Sequence, residues 1–240
     1  MAQFNFHRNA RRLFHLVLLC LTLGSVQGVL AGESARDVVV DVTDKVTEVV
    51  KEAQDEGYFD KDPQRFYDQI ETLLDQVIDF DRFARGVMGK YASREYYATL
   101  TTDEEREQFK ARIRRFSTNF KEGLVETYAK GLLAFNGNRI QVMPMKPEDQ
   151  NKEVVIVEQH IYGKQEKPYI VQYTMRRDRD QQWKLANVTI EAVNLGKVYR
   201  SQFYSSVQRY DGDLDAVVNN WSVEPAGVDA DKLKVPAQPG

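Results

Sequence analysis

Apolar positions change their period along the chain. Past a short apolar block near the N-terminus they recur every three or four residues, then every second residue, then every three or four again. Ser34 followed by Asp37 marks a helix start, and Val38, Val42, Val46, Val49 and Ala53 form a stripe that ends near Gly57. Asp62-Pro63 opens a second helix with Pro at its first position, and Phe66, Ile70, Leu73, Leu74, Val77 and Ile78 make its buried face. Over 80–100 the spacing is less regular and predicts two short helices broken around Gly86 and Gly89. Thr102-Asp103-Glu104-Glu105 is a capping box. Behind it, Phe109, Ile113, Phe116, Phe120, Leu124, Tyr128 and Leu132 predict a long helix over about 103–132, with Arg112, Arg114, Arg115 and Lys121 on its wet side.

Beyond Asn136-Gly137 the period drops to two, the mark of strands. A short strand is expected over 139–143 and a longer one over 154–162, followed by a turn at 163–168. Tyr169, Val171, Tyr173 and Met175 then alternate with Gln172, Thr174 and Arg176. After a turn at Asp178-Arg179-Asp180-Gln181, the residues Ala186, Val188, Ile190 and Ala192 share one strand face. Consecutive strands joined by short turns predict an antiparallel sheet with one apolar face that needs cover. After Gly196 helical spacing returns with Val198, Tyr199, Phe203 and Val207, then Leu214, Val217, Val218 and Trp221. The expected class is α+β, a central antiparallel sheet of about four strands covered by N- and C-terminal helices. Residues 223–240, with Pro225, Pro236 and Pro239, read as a flexible C-terminal tail.

The N-terminal block bears on where the chain works. His7-Arg8-Asn9-Ala10-Arg11-Arg12 is basic, residues 13–23 are an apolar run of signal-peptide length, and small residues follow. The run is too short to span a bilayer. Residues 1–31 are therefore expected to be a cleavable Sec signal peptide, cut after Ala31, with export to the periplasm. Cys20 lacks the preceding small residue of a lipoprotein box, so no lipid anchor is expected. Cleavage removes Arg8, Arg11 and Arg12 and no acid, moving the net charge from −3 to −6, and takes away the only cysteine. A disulfide scaffold is excluded for the mature chain. With 42% hydrophobic and 29% charged residues the composition is that of a globular protein, which excludes a multi-span transporter. The acidic balance argues against a dedicated nucleic-acid binder.

The chain is poor in catalytic signals. His160 is the sole histidine after residue 31, too few for a zinc site without cysteine partners, and reads as structural beside Glu158. No nucleophile elbow and no phosphate-cradling glycine motif is present. Asp211-Gly212-Asp213-Leu214-Asp215 imitates the start of a calcium loop, but the sixth position is Ala216 and the twelfth Ser222, which favours a turn and a helix cap. Asp79 and Asp81 likewise read as a cap and an ion-pair partner. The chain is expected to be no enzyme, with no cofactor and no metal. What it does carry is a large set of bulky apolar residues aimed at one helix–sheet interface; periodicity favours a filled core, and the pattern does not separate that from an apolar cavity between the layers.

Residues 80–91 (Phe80-Asp81-Arg82-Phe83-Ala84-Arg85-Gly86-Val87-Met88-Gly89-Lys90-Tyr91) and 101–109, then Tyr128-Ala129-Lys130, the strand ending at Leu195 and Tyr199-Arg200-Ser201-Gln202-Phe203, together resemble the MlaC family of periplasmic phospholipid-binding proteins, also called the toluene-tolerance auxiliary family. The resemblance covers most of 34–222 and rests on order and spacing. It implies a nuclear-transport-factor-two-like fold with added helices, a phospholipid-binding domain over 32–222, and acyl chains held in an apolar pocket between the layers. It further implies a soluble carrier that shuttles glycerophospholipid between an outer-membrane lipoprotein complex (MlaA with porin) and an inner-membrane MCE-domain ABC transporter (MlaD), maintaining outer-membrane lipid asymmetry; a monomer is the default expectation. Face and spacing then nominate Phe83, Val87, Met88, Tyr91, Tyr97, Ile113, Phe116, Phe120, Val157, Val171, Tyr173, Met175, Val188, Ile190, Leu195 and Tyr199 as lipid contacts. Arg82, Arg85, Lys90 and Arg94 are the head-group candidates. The competing expectations are another apolar ligand, such as a quinone or isoprenoid, and a non-lipid interaction protein.

Overall fold

The computed structural model describes residues 33–133, 139–149, 152–162 and 167–224. The expected signal peptide and residues 225–240 of the expected tail lie outside the described residues. Helix α1 (Ala35–Glu56) starts where the Asp37 amide donates to Ser34 Oγ at 3.1 Å and the Ser34 amide to the Asp37 carboxylate at 3.2 Å. It stops at Gly57, in the left-handed region. Helix α2 (Pro63–Val77) is capped by Asp62, and α3 (Phe80–Met88) by Asp79, whose carboxylate accepts the Arg82 amide at 2.9 Å. Gly86 stays inside α3, so the chain breaks once rather than twice, at Gly89. Gly89 has φ +56°, and a Cβ there would stand 2.5 Å from the Tyr204 hydroxyl, so conformation and close approach both require glycine. A 3₁₀ turn (Gly89–Ala92) and the short α4 (Arg94–Ala98) lead to the 31-residue α5 (Asp103–Leu133).

The sheet has five antiparallel strands in chain order: β1 (Ile140–Val142), β2 (Val154–Ile161), β3 (Tyr169–Arg177), β4 (Trp183–Ile190) and β5 (Val193–Asn194). The count exceeds the expected four because Glu191 and Ala192 both take positive φ, +46° and +68°. The chain there doubles back, and Val193 and Asn194 pair with Ile190 and Thr189. Ala192 therefore sits in a turn and does not share a strand face with Ala186. Ala186 is displaced as well: Thr174 pairs with Asn187 and Met175 with Leu185, which leaves Ala186 as the inserted residue of a bulge. Helix α6 (Leu195–Arg209) follows directly, and α7 (Leu214–Asn219) is capped by Asp213. Asp213 in that role supports the reading of 211–215 as a turn and cap.

Apolar residues bury themselves in three clusters. The largest joins α3, α5, α6 and α7 and is aromatic: Phe116 lies 5.0 Å from Phe203 and 5.2 Å from Trp221 between ring centres, and Phe120 lies 5.3 Å from Tyr199. A second sets Ala35, Val38 and Val39 of α1 on Val155, Val157, Met175 and Trp183 of the sheet. A third packs Val50 and Ala53 against Phe66 and Ile70 of α2 and Val125 and Ala129 of α5. Three cations expected on the wet side of α5 prove to be ties between elements. Arg112, mostly buried, donates to Asp215 at 2.6 Å, the half-exposed Arg115 pairs with the same carboxylate, and Lys121 bridges Glu71 at 2.6 Å and Asp75 at 3.1 Å. Val223, the first residue of the expected tail, packs on the helical cluster and accepts a hydrogen bond from Thr127. Among the described residues no helix is long and apolar enough to cross a membrane.

Candidate functional site

Both ends of α1 are anchored, its start on the sheet and its end on α2 and α5, and between the anchors it bridges the inner sheet face without filling the space beneath. Val42 and Val46 belong to the apolar stripe yet remain only half-buried. Valines nearer either end of the same helix, Val38, Val39 and Val50, are buried, so the gap opens under the middle of α1. There lies a cavity of about 260 Å³, just below the ~300–1,000 Å³ typical of ligand pockets. Its walls are Val38, Val39, Val42, Thr43, Val46, Thr47 and Val50 of α1, Ile70, Leu74 and Val77 of α2, Leu132 of α5, and Ile140, Gln159, Ile161, Tyr173, Met175 and Leu185 of the strands.

No ionisable acid, base or histidine is among those walls. The polar atoms that do face it are consumed locally. Thr43 Oγ1 donates to the Val39 carbonyl at 2.7 Å and Thr47 Oγ1 to the Thr43 carbonyl at 2.8 Å. Gln159, almost fully buried, donates from Nε2 to Thr43 Oγ1 at 2.8 Å and accepts from the Tyr173 hydroxyl at 2.8 Å. Burial pushes the Tyr173 phenol well above its ordinary pKa, so it stays neutral. An occupant meets hydrocarbon and a closed chain of neutral hydrogen bonds. The walls offer no carboxylate, amine or imidazole for acid–base work. Among the described residues no group of three His, Cys, Asp or Glu side chains is placed to hold a metal ion.

Of the residues that face and spacing nominate, the structure brings Tyr173 and Met175 to this cavity. Val157 and Val171 lie buried on strands beside it. Val87, Met88, Ile113, Phe116, Phe120, Leu195 and Tyr199 are interior to the helical cluster, with Phe83, Tyr91, Tyr97, Val188 and Ile190 packed on its border. Of the four basic candidates, Arg82 lines a separate groove beside α3, with Phe83 and Val87, while Arg85, Lys90 and Arg94 are exposed outside both spaces. The α1 valines escaped the sequence reading as site residues although their spacing was plain. The available signal was their size: a helical stripe made of Val and Thr, opposite strands that supply no Phe to fill the gap.

His160 donates or accepts at 2.7 Å with Glu158, and Gln172 also donates to that carboxylate at 3.1 Å, a surface network that agrees with a structural role. The Gln172 and His160 bonds hold the Glu158 carboxyl below its usual range.

The family model described as MlaC protein matches residues 40–223. The toluene tolerance protein ttg2D of Pseudomonas putida is 30% identical over 197 residues, which span 82% of this chain and 84% of that protein. A phospholipid-binding protein from Ralstonia solanacearum, solved in complex with a phospholipid, matches with a TM-score of 0.59 at 18% identity, covering 83% of this chain and 98% of its own. At that identity the match establishes a shared fold.

Proposed function

The chain belongs to the MlaC family, and from that premise we propose that it is a soluble, non-catalytic carrier that binds glycerophospholipid by its acyl chains in the cavity beneath α1. The observation that carries the reading is the cavity itself: hydrocarbon walls, no ionisable acid or base, and every facing polar group already paired. The Ralstonia solanacearum protein of the same fold was solved with a phospholipid bound, which supports the ligand class. The lipid-contact set then shifts to the α1 valines, Ile70, Leu74, Leu185, Tyr173 and Met175, while the aromatic residues of the helical cluster serve as its rigid support.

The energetics suit exchange. Two chains of about 16 carbons represent roughly 25 kcal/mol of transfer from water, at about 0.8 kcal/mol per methylene. A bilayer offers methylenes nearly the same environment, so for the part of the chains that a cavity of about 260 Å³ covers, moving between membrane and protein costs little in either direction. Direction must come from partners. In this reading the chain is exported by its signal peptide, works in the periplasm as a monomer, and passes lipid between an MlaA-type outer-membrane complex and an MlaD-type MCE-domain transporter, in support of outer-membrane asymmetry.

The test is gentle isolation of the mature protein from a Gram-negative periplasm, followed by native mass spectrometry and lipid extraction. Phospholipid co-purifying at fixed stoichiometry is the expected result. A folded protein that is empty and takes nothing from vesicles would overturn it, and an occupant without phosphate would replace phospholipid by a quinone- or isoprenoid-like ligand.

A further inference from the structure

A second concave space lies next to the cavity and has opposite chemistry. It is a groove of about 380 Å³ between α3, the outer edge of β4 and the start of α6, and Arg82, Arg176, Lys197 and Arg200 line it with a single acid, Asp79. The Asp79 carboxylate is committed to capping α3. None of the four cations forms an ion pair among the described residues. Arg200 is oriented by its Nε, which donates to the Gly86 carbonyl at 2.8 Å and leaves the rest of its guanidinium free. Like charges converging in a concavity repel one another and concentrate anions. Guanidinium groups are the side chains best matched in shape to phosphate oxygens.

The bulge places this groove against the cavity. The outer edge of β4 is covered at Leu185 by a bridge to Ile78 and at Thr189 and Ile190 by β5. Between them the edge at Ala186 and Asn187 opens onto the groove. Leu185 lines both spaces. The first amides of α6 are already spent, Gly196 on Asn187 Oδ1 at 3.0 Å and Lys197 on Asn194 Oδ1 at 3.0 Å, so the attraction rests on side chains.

We propose that this groove is a phosphate site, holding the phosphodiester of a glycerophospholipid whose chains lie across Leu185 in the cavity. It rests on the phospholipid reading above and adds to it a place for the one part of the lipid that the uncharged cavity cannot accept. It also selects among the basic candidates: Arg82 contacts the phosphate with Arg176, Lys197 and Arg200, and Arg85 does not.

The test compares uptake of phosphatidylglycerol and of diacylglycerol from vesicles by the mature protein, its Arg82→Gln/Arg176→Gln/Lys197→Gln variant and an Arg85→Gln control, scored by native mass spectrometry after matched thermal melts. The wild type and the control are expected to favour phosphatidylglycerol tenfold or more. The triple variant should lose that preference and still take diacylglycerol. A preference that survives the triple substitution overturns the groove assignment and leaves the carrier reading intact. Failure of the wild type to take either lipid overturns the carrier reading and this proposal together. Inorganic phosphate that shifts the Gly196 and Lys197 amide resonances, where bound phosphatidylglycerol leaves them unmoved, would reassign the groove to a free anion and overturn the head-group role.

Discussion

The helical cluster and the space beneath α1 are both apolar interiors of one chain, and they differ in what fills them. In the first, Phe116, Phe120, Tyr199, Phe203 and Trp221 meet ring against ring, several with no accessible surface. In the second, valines and threonines of α1 face Tyr173, Met175 and Leu185 across a gap of about 260 Å³. Hydrophobicity is common to both regions, so it does not by itself decide which becomes core and which keeps a space. A container also needs walls that stay put when it is empty, and the filled cluster beneath α3, α5 and α6 supplies that stiffness.

The comparison can be broken most forcefully from the core side. Phe116→Ala should cost about 3–5 kcal/mol, lowering the melting temperature by roughly 6–20 °C in a domain of this size. A calorimetric loss below about 1 kcal/mol would show that the cluster is not tightly packed. Next comes Gln159→Leu, which strands the buried Tyr173 hydroxyl and should cost about 1–3 kcal/mol in urea unfolding. Adding Tyr173→Phe should recover most of it, and failure to recover would mean that Gln159 acts through shape instead. In the cavity wall, Val46→Phe should change stability by no more than about 1 kcal/mol because space awaits the ring, while phospholipid uptake from vesicles falls at least tenfold. A stability loss equal to that of Phe116→Ala would erase the distinction between the regions.

The smallest effect concerns a tie outside both. The hydrogen bond from Arg112, with help from Arg115, holds the Asp215 carboxyl below the usual carboxylate range. A carboxyl lowered in the folded state stabilises fully above its unfolded value of about pH 4, and the contribution fades as pH falls through the lowered folded value. Asp215 is about half exposed, so Asp215→Asn should cost under about 1 kcal/mol. Melts at pH 7 should separate wild type from variant, and the gap should narrow as pH falls below the usual carboxylate range; a gap that stays constant would assign the effect to packing.

Local signals in the sequence translated well into elements. The Ser34–Asp37 and Thr102–Glu105 boxes, Pro63 after Asp62, and the glycine at position 57 each start or stop a helix where expected. Alternation located the strands, but the bulge at Ala186 and the positive φ of Glu191 and Ala192 left no mark that short-range pattern reading detects, since neither residue is a glycine or asparagine. The cavity was less legible for a related reason. Periodicity says which face of α1 is apolar and is silent on how far that face stands from its neighbour. Bulk drew attention to Phe116 and Phe120, whereas the site came from the absence of bulk at Val42 and Val46.

The closed hydrogen-bond chain of Thr43, Gln159 and Tyr173 has one further consequence. With its polar side-chain atoms already paired, the wall itself adds no polar stop along the path of an aliphatic occupant. Retention then rises in even increments of about 0.8 kcal/mol for each methylene removed from water, without a threshold. Tails of differing length and saturation would then be graded along a continuum, with no single length selected by the wall.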